Sequence, residues 1–453
     1  MTVDRSKLPA LEPSPTFNLP RFRCVTLDNG SRVWTATHQR APVLTFKLLV
    51  PVGAADDPVH QFGLAALTAE VLHEGTHSRT GIQLHQALMG IGGHLGIQSS
   101  SDSTILTLTT LPKHAAEAMA LLVDVAARPR CDPNDCERVR DLRIHRIQQM
   151  RQVPSAVADR VFAESLYGAH PYGHAAIGTE ASLGQLDSHD VAAFHERWYA
   201  PGRWTLIAVG DLPEADLLDV ARSQLEGLGS RATNRVERGS RLADPPSVES
   251  RLVFVARPNA VQSEVRLGHV GVARTSPDYH ALLVLNMVLG GQFVSRINLN
   301  LREDKGYTYG ARTSFDSRIG RGPFTFRSSV QTDGTVDAIG EVIKEIDQIR
   351  NVNPPSVKEL MVARNALTRG FPRSLETATQ VARAGAALAL HELPPQEIAR
   401  FVDRVMAVEV ETLARVANAH LRPDQLMAVI VGSPDEILPS LDRLGLGEPA
   451  LID

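Results

Sequence analysis

The sequence predicts an α+β protein of two homologous domains, each a mostly antiparallel sheet covered by helices. Three observations predict it. The chain has 453 residues, too many for a single core at roughly 100–200 residues per domain. Alternating strand-like runs interleave with runs of helical period throughout. Finally, the closing segments of the two halves can be laid side by side. "FHERWYAPGRWTLIAVGDLPEADL" and "VANAHLRPDQLMAVIVGSPDEIL" set Pro201 against Pro423 and Gly210 against Gly432. A helix, a proline stop and a last strand in each half indicate an internal duplication.

Residues 1–21 read as an N-terminal extension. The first domain, 22–226, opens with "FRCVTLDNGSRVWTAT", where Asn29-Gly30 marks a hairpin turn. "VLTFKLLVPVGA" follows as a strand, then helical segments from Gly63 to Glu74 and from Ile82 to about Met89. "STILTLTTLP" alternates as a strand, and "KHAAEAMALLVDVAARP" is a periodic helix stopped by Pro129. Further helices lead to "WTLIAVGDL", a buried strand. A polar, Arg-rich stretch carrying Pro245-Pro246 makes 227–250 a linker by composition. The second domain, 251–440, repeats the plan: strands "RLVFVARP" and "SEVRLGHVGV", helix "PDYHALLVLNMVLGG", strand "GPFTFRSSVQ", helix "TVDAIGEVIKEIDQIR", and the closing "LMAVIVGS". Residues 441–453 form a C-terminal tail.

Composition is ordinary for a soluble globular protein, with 43% apolar and 22% charged residues. A net charge of -4 and the lack of any Lys/Arg block give no reason to expect a nucleic-acid partner. Cys24, Cys131 and Cys136 are an odd, sparse set and read as free thiols. No run of about 18 apolar residues marks a membrane span. The first residues carry prolines in place of an apolar signal core, so the expected compartment is the cytoplasm. Abundant Ala and Arg suggest a bacterial source.

His73, Glu74 and His77 in "EVLHEGTHSRTG" spell HExxH, which in zinc peptidases puts two histidines on one helix face with a glutamate beside a zinc-bound water. Here the inner positions are Gly75 and Thr76, followed by Ser78, Arg79, Thr80 and Gly81. Such a run reads as the end of a helix. The extended form fails as well, with Thr80 and Gln83 at its Gly and His positions, and the next glutamate is the distant Glu117. A pair of polar residues at a helix end is the better reading, with the zincin as a lesser alternative.

The surroundings are more specific than the motif. "GLAALTAEVLHEGTHSRT" resembles the motif helix of the pitrilysin and mitochondrial-processing-peptidase family, whose zinc peptidases carry the inverted signature HxxEH. Gly63-Leu64-Ala65 and Gly75-Thr76 align with that helix without a gap. "HPYGHAAIGTEASL" and "LGGQFVSRINLNLREDKGYTYG" are similar to later landmarks of the family, so the resemblance runs from about Phe22 to about Leu438. It implies a pair of homologous α+β domains.

The resemblance also shows a departure. The inverted motif uses positions i, i+3 and i+4 for two zinc-binding histidines and a catalytic glutamate. Those positions here hold Ala66, Ala69 and Glu70. A third ligand, a glutamate in the family, is expected from a later helix, yet Leu142 to Ala158 contains no acidic residue, only a lone His145. What the family uses to hold substrate is retained: an Arg and a Tyr seven residues apart, here Arg302 and Tyr309, with Tyr307 as the other choice of phenol. The resemblance therefore implies a non-catalytic subunit with no cofactor of its own. Its expected partner is a homologous zinc-bearing chain, and the two would enclose a peptide or unfolded polypeptide. A structural or peptide-binding subunit without peptidase activity is the alternative.

Overall fold

The computed structural model describes residue 17 and residues 19–229, 242–245 and 251–452. Most of the N-terminal extension and most of the linker lie outside the described residues.

Two six-stranded sheets organise the chain. The first contains β1 (Arg23–Thr26), β2 (Arg32–Thr37), β3 (Leu44–Val50), β6 (His94–Ser99), β7 (Thr104–Thr110) and β8 (Thr205–Gly210) in the order β1-β2-β8-β3-β7-β6. Two-residue strands β4 (Gly75–Thr76) and β5 (Arg79–Thr80) make a separate small hairpin. The second sheet contains β9 (Leu252–Ala256), β10 (Gln262–Val270), β11 (Ala311–Phe315), β12 (Pro323–Gln331), β13 (Met427–Gly432) and β14 (Ala450–Ile452). In its order, β11-β12-β10-β13-β9-β14, the first five strands repeat the first sheet's β6-β7-β3-β8-β2, while β14 takes the edge held there by the antiparallel β1. Antiparallel pairing dominates; β8 beside β2, and β13 and β14 beside β9, are the parallel pairs. The duplication expected from the sequence is therefore present. Turns at Pro201–Arg203 and Pro423–Gln425 lead into β8 and β13, which are buried along their whole lengths and end on Gly210 and Gly432. Segment 441–453 supplies the parallel edge strand β14.

Helices in the first half are α1 (Leu64–Val71), α2 (Gly81–Gly90), α3 (Ala115–Ala127), α4 (Pro133–Met150), α5 (Pro154–Tyr167), α6 (Glu180–Leu183), α7 (Ser188–Trp198) and α8 (Glu214–Leu225). The second half has α9 (Tyr279–Leu289), α10 (Arg296–Asn298), α11 (Thr335–Arg350), α12 (Val357–Gly370), α13 (Ala378–Leu390), α14 (Glu397–Met406), α15 (Val410–His420) and α16 (Pro434–Ile437).

Successive side chains of a strand point to opposite faces, so a strand buried throughout must be covered twice. In β8, Leu206 and Ala208 join the core formed with α1, α3 and α8, whereas Ile207 and Val209 face the other way. That second face, with Trp34, Ala36 and Leu49, is covered by Ala378, Val381, Ala382 and Ala386 of α13, a helix from the second half. The second sheet mirrors this. Val253, Val255, Val429 and Val431 are covered by Ala158, Val161, Phe162 and Leu166 of α5, a helix from the first half. Each half thus lends one helix to the other's sheet.

Polar contacts reinforce the junction. Asp102, between β6 and β7, accepts hydrogen bonds from the Tyr172 hydroxyl at 2.8 Å and from the Ile319 N–H at 3.0 Å. The Tyr172 oxygen in turn accepts from the Gly320 N–H at 3.0 Å. No helix among the described residues is long and apolar enough to cross a membrane.

Candidate functional site

Helix α1 begins where Gly63 adopts φ +95°, a left-handed conformation that favours glycine. A Cβ there would meet Gly178 Cα and the Ile177 carbonyl oxygen at 2.8 Å, so loop and helix start press together. The helix is capped from a distance. The wholly buried Asp57 carboxylate accepts from the N–H groups of Gly63 and Ala65, each at 2.7 Å, and contacts His174 Nε2 at 3.2 Å. A carboxylate at this end also meets the positive pole of the helix. Every residue from Leu64 to Ala69 is buried, so packing rather than amphipathicity holds α1 in place.

The helix ends as the sequence indicated. After Val71 it tightens to a 3-10 turn over Leu72–Glu74, and Gly75 takes φ +125° with a Cβ position only 2.5 Å from the Arg79 carbonyl oxygen. His73 therefore lies in the 3-10 turn, while His77 lies past Gly75 in the β4–β5 hairpin, where its N–H donates to the Arg128 carbonyl. Glu74 pairs with Arg138 of α4. The HExxH residues thus do not share one regular helix face, which a zincin requires.

The three inverted-motif positions do share a face of α1. Ala66 and Ala69 are buried and carry no donor atom, leaving Glu70 as the single polar group. Its carboxylate meets Arg143 Nη1 at 2.6 Å. The Arg143 side chain is 5% exposed, and its Nη2 donates to the carbonyls of Ala176 at 3.3 Å and Ile177 at 3.1 Å. Helix α4, the helix from which the resemblance implies a third ligand, brings this guanidinium to α1. His145 stays exposed beside Glu137, Arg138 and Asp141 on the rim of an open depression. Zinc needs several N, O or S donors around an open coordination position. Two alanines and one carboxylate already paired to a cation do not fit it. Among the described residues no cluster of three or more His, Cys, Asp or Glu is arranged to hold a metal ion.

Sequence reasoning missed Arg143. A signal was present: Cys136, Val139 and Arg143 are the buried residues of α4, spaced by three and four, and the last breaks an apolar stripe.

The second half presents Arg302 and Tyr309 on a braced segment. After α9, Gly290 and Gly291 allow close packing, since a Cβ on either would lie 2.5 Å from Thr313 Oγ1 or 2.6 Å from Asn286 Nδ2. The buried Asn298 amide donates to the Gln292 and Ala311 carbonyls and accepts from the Ala311 N–H. Arg296 is anchored to Glu359 at 2.6 Å and to the Asn353 and Pro354 carbonyls. A π-helical turn, Leu299–Asp304, carries Arg302. Its guanidinium lies 4.1 Å from the centre of the Phe293 ring, with Glu303 at 3.7 Å. The next residues run to β11, an edge strand, and the two tyrosines part there. Tyr307 turns inward against the second core, close enough that a Cβ on Gly334 would lie 2.8 Å from its ring. Tyr309 is 91% exposed.

Comparisons with known proteins agree with this architecture. The model described as Insulinase (Peptidase family M16) matches residues 32–180, and the one described as Peptidase M16 inactive domain matches residues 185–367. An uncharacterized zinc protease of Mycobacterium tuberculosis (strain ATCC 25618 / H37Rv) is 26% identical over 417 residues, covering 90% of this chain and 93% of that protein. The mitochondrial-processing peptidase subunit beta of Blastocladiella emersonii is 23% identical over 453 residues, covering 95% of this chain and 93% of its own. Among solved structures, a peptidase M16 inactive domain from Pseudomonas fluorescens superposes with a TM-score of 0.84 at 24% identity, covering 91% of this chain and 98% of that one. A protease from Helicobacter pylori gives 0.85 at 18% identity, over 92% and 100%. These last two likenesses show the shared fold. With the two models together accounting for most of both halves, the chain belongs to the M16 peptidase family.

Proposed function

We propose that this chain is the non-catalytic subunit of a two-chain zinc peptidase, and that it contributes Arg302 and Tyr309 to a chamber shared with a homologous zinc-bearing partner. One contrast carries the reading. The motif positions Ala66, Ala69 and Glu70 offer a single donor already bound to Arg143, whereas Arg302 and Tyr309 stand accessible to solvent on the segment between α10 and β11. Similarity to a protein named as a subunit of a processing peptidase supports the pairing.

The chemistry follows from the side chains. A guanidinium is charged at all working pH values, and it and a phenol both donate hydrogen bonds. Donors held in advance suit a peptide carbonyl and the oxyanion that grows from it. The partner supplies zinc, the water-polarising base and bond cleavage. This chain supplies orientation of a peptide or unfolded polypeptide.

The test is to mix the purified chain with a family relative that carries an intact HxxEH and follow cleavage of a quenched fluorescent peptide. The expected result is little cleavage by either chain alone and strong cleavage by the mixture. Peptide binding that persists with no cleavage in any mixture replaces this reading with that of a structural or peptide-binding subunit.

A further inference from the structure

Arg143 is a buried cation on a face where the fold alone asks for none. Desolvating a guanidinium is costly unless its charge and its N–H groups are matched. Here Glu70 answers the charge and two carbonyls accept from Nη2, both from segments other than α4, while the buried Nε is left without a hydrogen-bond partner. Glu70 is in the last turn of α1, Arg143 is in the middle of α4, and the Ala176 and Ile177 carbonyls belong to the loop that presses on Gly63 at the start of α1. One side chain therefore ties both ends of α1 to α4. The pair is asymmetric: Arg143 is 5% exposed and Glu70 41%, so the carboxylate closes the pocket over the guanidinium.

A divalent ion held between carboxylate or imidazole groups of α1 and α4 would make the same tie with an exchangeable charge. We propose that the Glu70–Arg143 ion pair takes over that tie as a permanent, covalently attached positive charge, making the first half's fold independent of divalent metal and closing the α1–α4 contact to metal entry. The proposal rests on the reading that positions 66, 69 and 70 are not a zinc site. It goes further in assigning Arg143 the metal's structural role. Arginine suits this role better than lysine, because its planar fork serves a carboxylate and two carbonyls at once and keeps its proton when buried.

The first measurement is thermal unfolding of the full chain with added zinc, with no metal and with a chelator. The expected midpoints are the same; stabilisation by zinc or destabilisation by the chelator would overturn the proposal. The second is a double-mutant cycle by urea unfolding, using Glu70→Gln and Arg143→Met. Glu70→Gln keeps the shape and removes the charge. Strong coupling is expected, so that Glu70→Gln lowers the urea midpoint in the wild-type background and barely shifts it beside Arg143→Met. Additive effects would mean that the carbonyls alone hold Arg143, and the clamp idea falls. Should Arg143→Met not fold, Arg143→Gln completes the cycle, because it removes the charge but keeps an amide N–H for the carbonyls. Neither readout involves cleavage. Coupling in a chain that never forms an active pair leaves the clamp standing and removes the proposed function, whereas a zinc-stabilised chain that still needs a partner does the reverse.

Discussion

Replacing Arg302 with alanine separates a surface role from a functional one. The side chain is 32% exposed, and its recorded partners are Glu303 at 3.7 Å and the ring of Phe293 at 4.1 Å. A partly exposed cation–π contact contributes about 0.5–1 kcal/mol. A pair with a half-exposed carboxylate adds about 0–1 kcal/mol, and solvent screening keeps it at the low end. Arg302→Ala should therefore destabilise the chain by only about 1 kcal/mol, roughly one degree of Tm for a chain of this length. Its effect on cleavage by the assembled pair should be far larger. Loss of one preorganised donor to a developing oxyanion costs about 10²–10³-fold in kcat. The assay is kcat and KM for peptide cleavage by the mixture, beside calorimetry of the isolated variant. Cleavage unchanged by Arg302→Ala would refute the shared site. A large fall in Tm would refute the premise that this side chain has no structural duty.

The other predictions probe the scaffold. Phe162→Ala in α5 removes a ring that lies 3.1 Å from where a Cβ on Gly268 of β10 would stand; it should cost about 3–5 kcal/mol and make both halves more sensitive to limited proteolysis. Asp57→Ala strips the cap from α1 and should cost about 1–3 kcal/mol in urea unfolding, with Asp57→Asn recovering part of it. Three histidines of the second half should contribute to acid sensitivity: burial pushes His269, His280 and His391 each down from 6.5 to about 4. Since the folded values are depressed, their contribution is complete above pH 6.5 and is lost as pH falls to about 4, where the unfolded chain holds protons that the folded one refuses. His269 is the clearest, because its Nε2 accepts the Arg422 N–H at 3.2 Å while Nδ1 faces the Val270 carbonyl. Its share is about 3 kcal/mol by pH 4, and His269→Gln should flatten that limb of the stability profile.

Much of this fold could be read in advance because short-range rules fixed it. Pro201 and Pro423 stop helices, Gly210 and Gly432 end strands buried on both faces, and Gly75 halts α1, all from local sterics. The exchange of α5 and α13 was not legible. Periodicity reveals that Val161 or Val381 needs cover, but an apolar stripe carries no label for the sheet it will meet. Tail strand β14 escaped for a different reason: three exposed residues show no alternation, and pairing with β9 alone defines them. At the site, the departures at Ala66, Ala69 and Glu70 were visible as letters. Their meaning came from Arg143, which is distant in sequence and met Glu70 only through the packing of α4 on α1. Choosing between Tyr307 and Tyr309 as the outward-facing phenol likewise needed Gly334, whose missing side chain makes room for the Tyr307 ring.

The traded helices bear on how such a duplicated protein can change over generations. After a tandem duplication, two copies usually drift apart as separable modules, free to be lost, shuffled or fused elsewhere. Here each copy has given away part of its own roof. A gene fragment encoding residues 22–226 would make a sheet whose Trp34, Leu49, Ile207 and Val209 lie bare, together with an orphaned α5 whose Phe162 and Leu166 have nothing to cover. Either half expressed alone would need another cover for the face its partner now protects. A substitution on either covered face is therefore felt by both copies at once, because the residue it touches belongs to the other half.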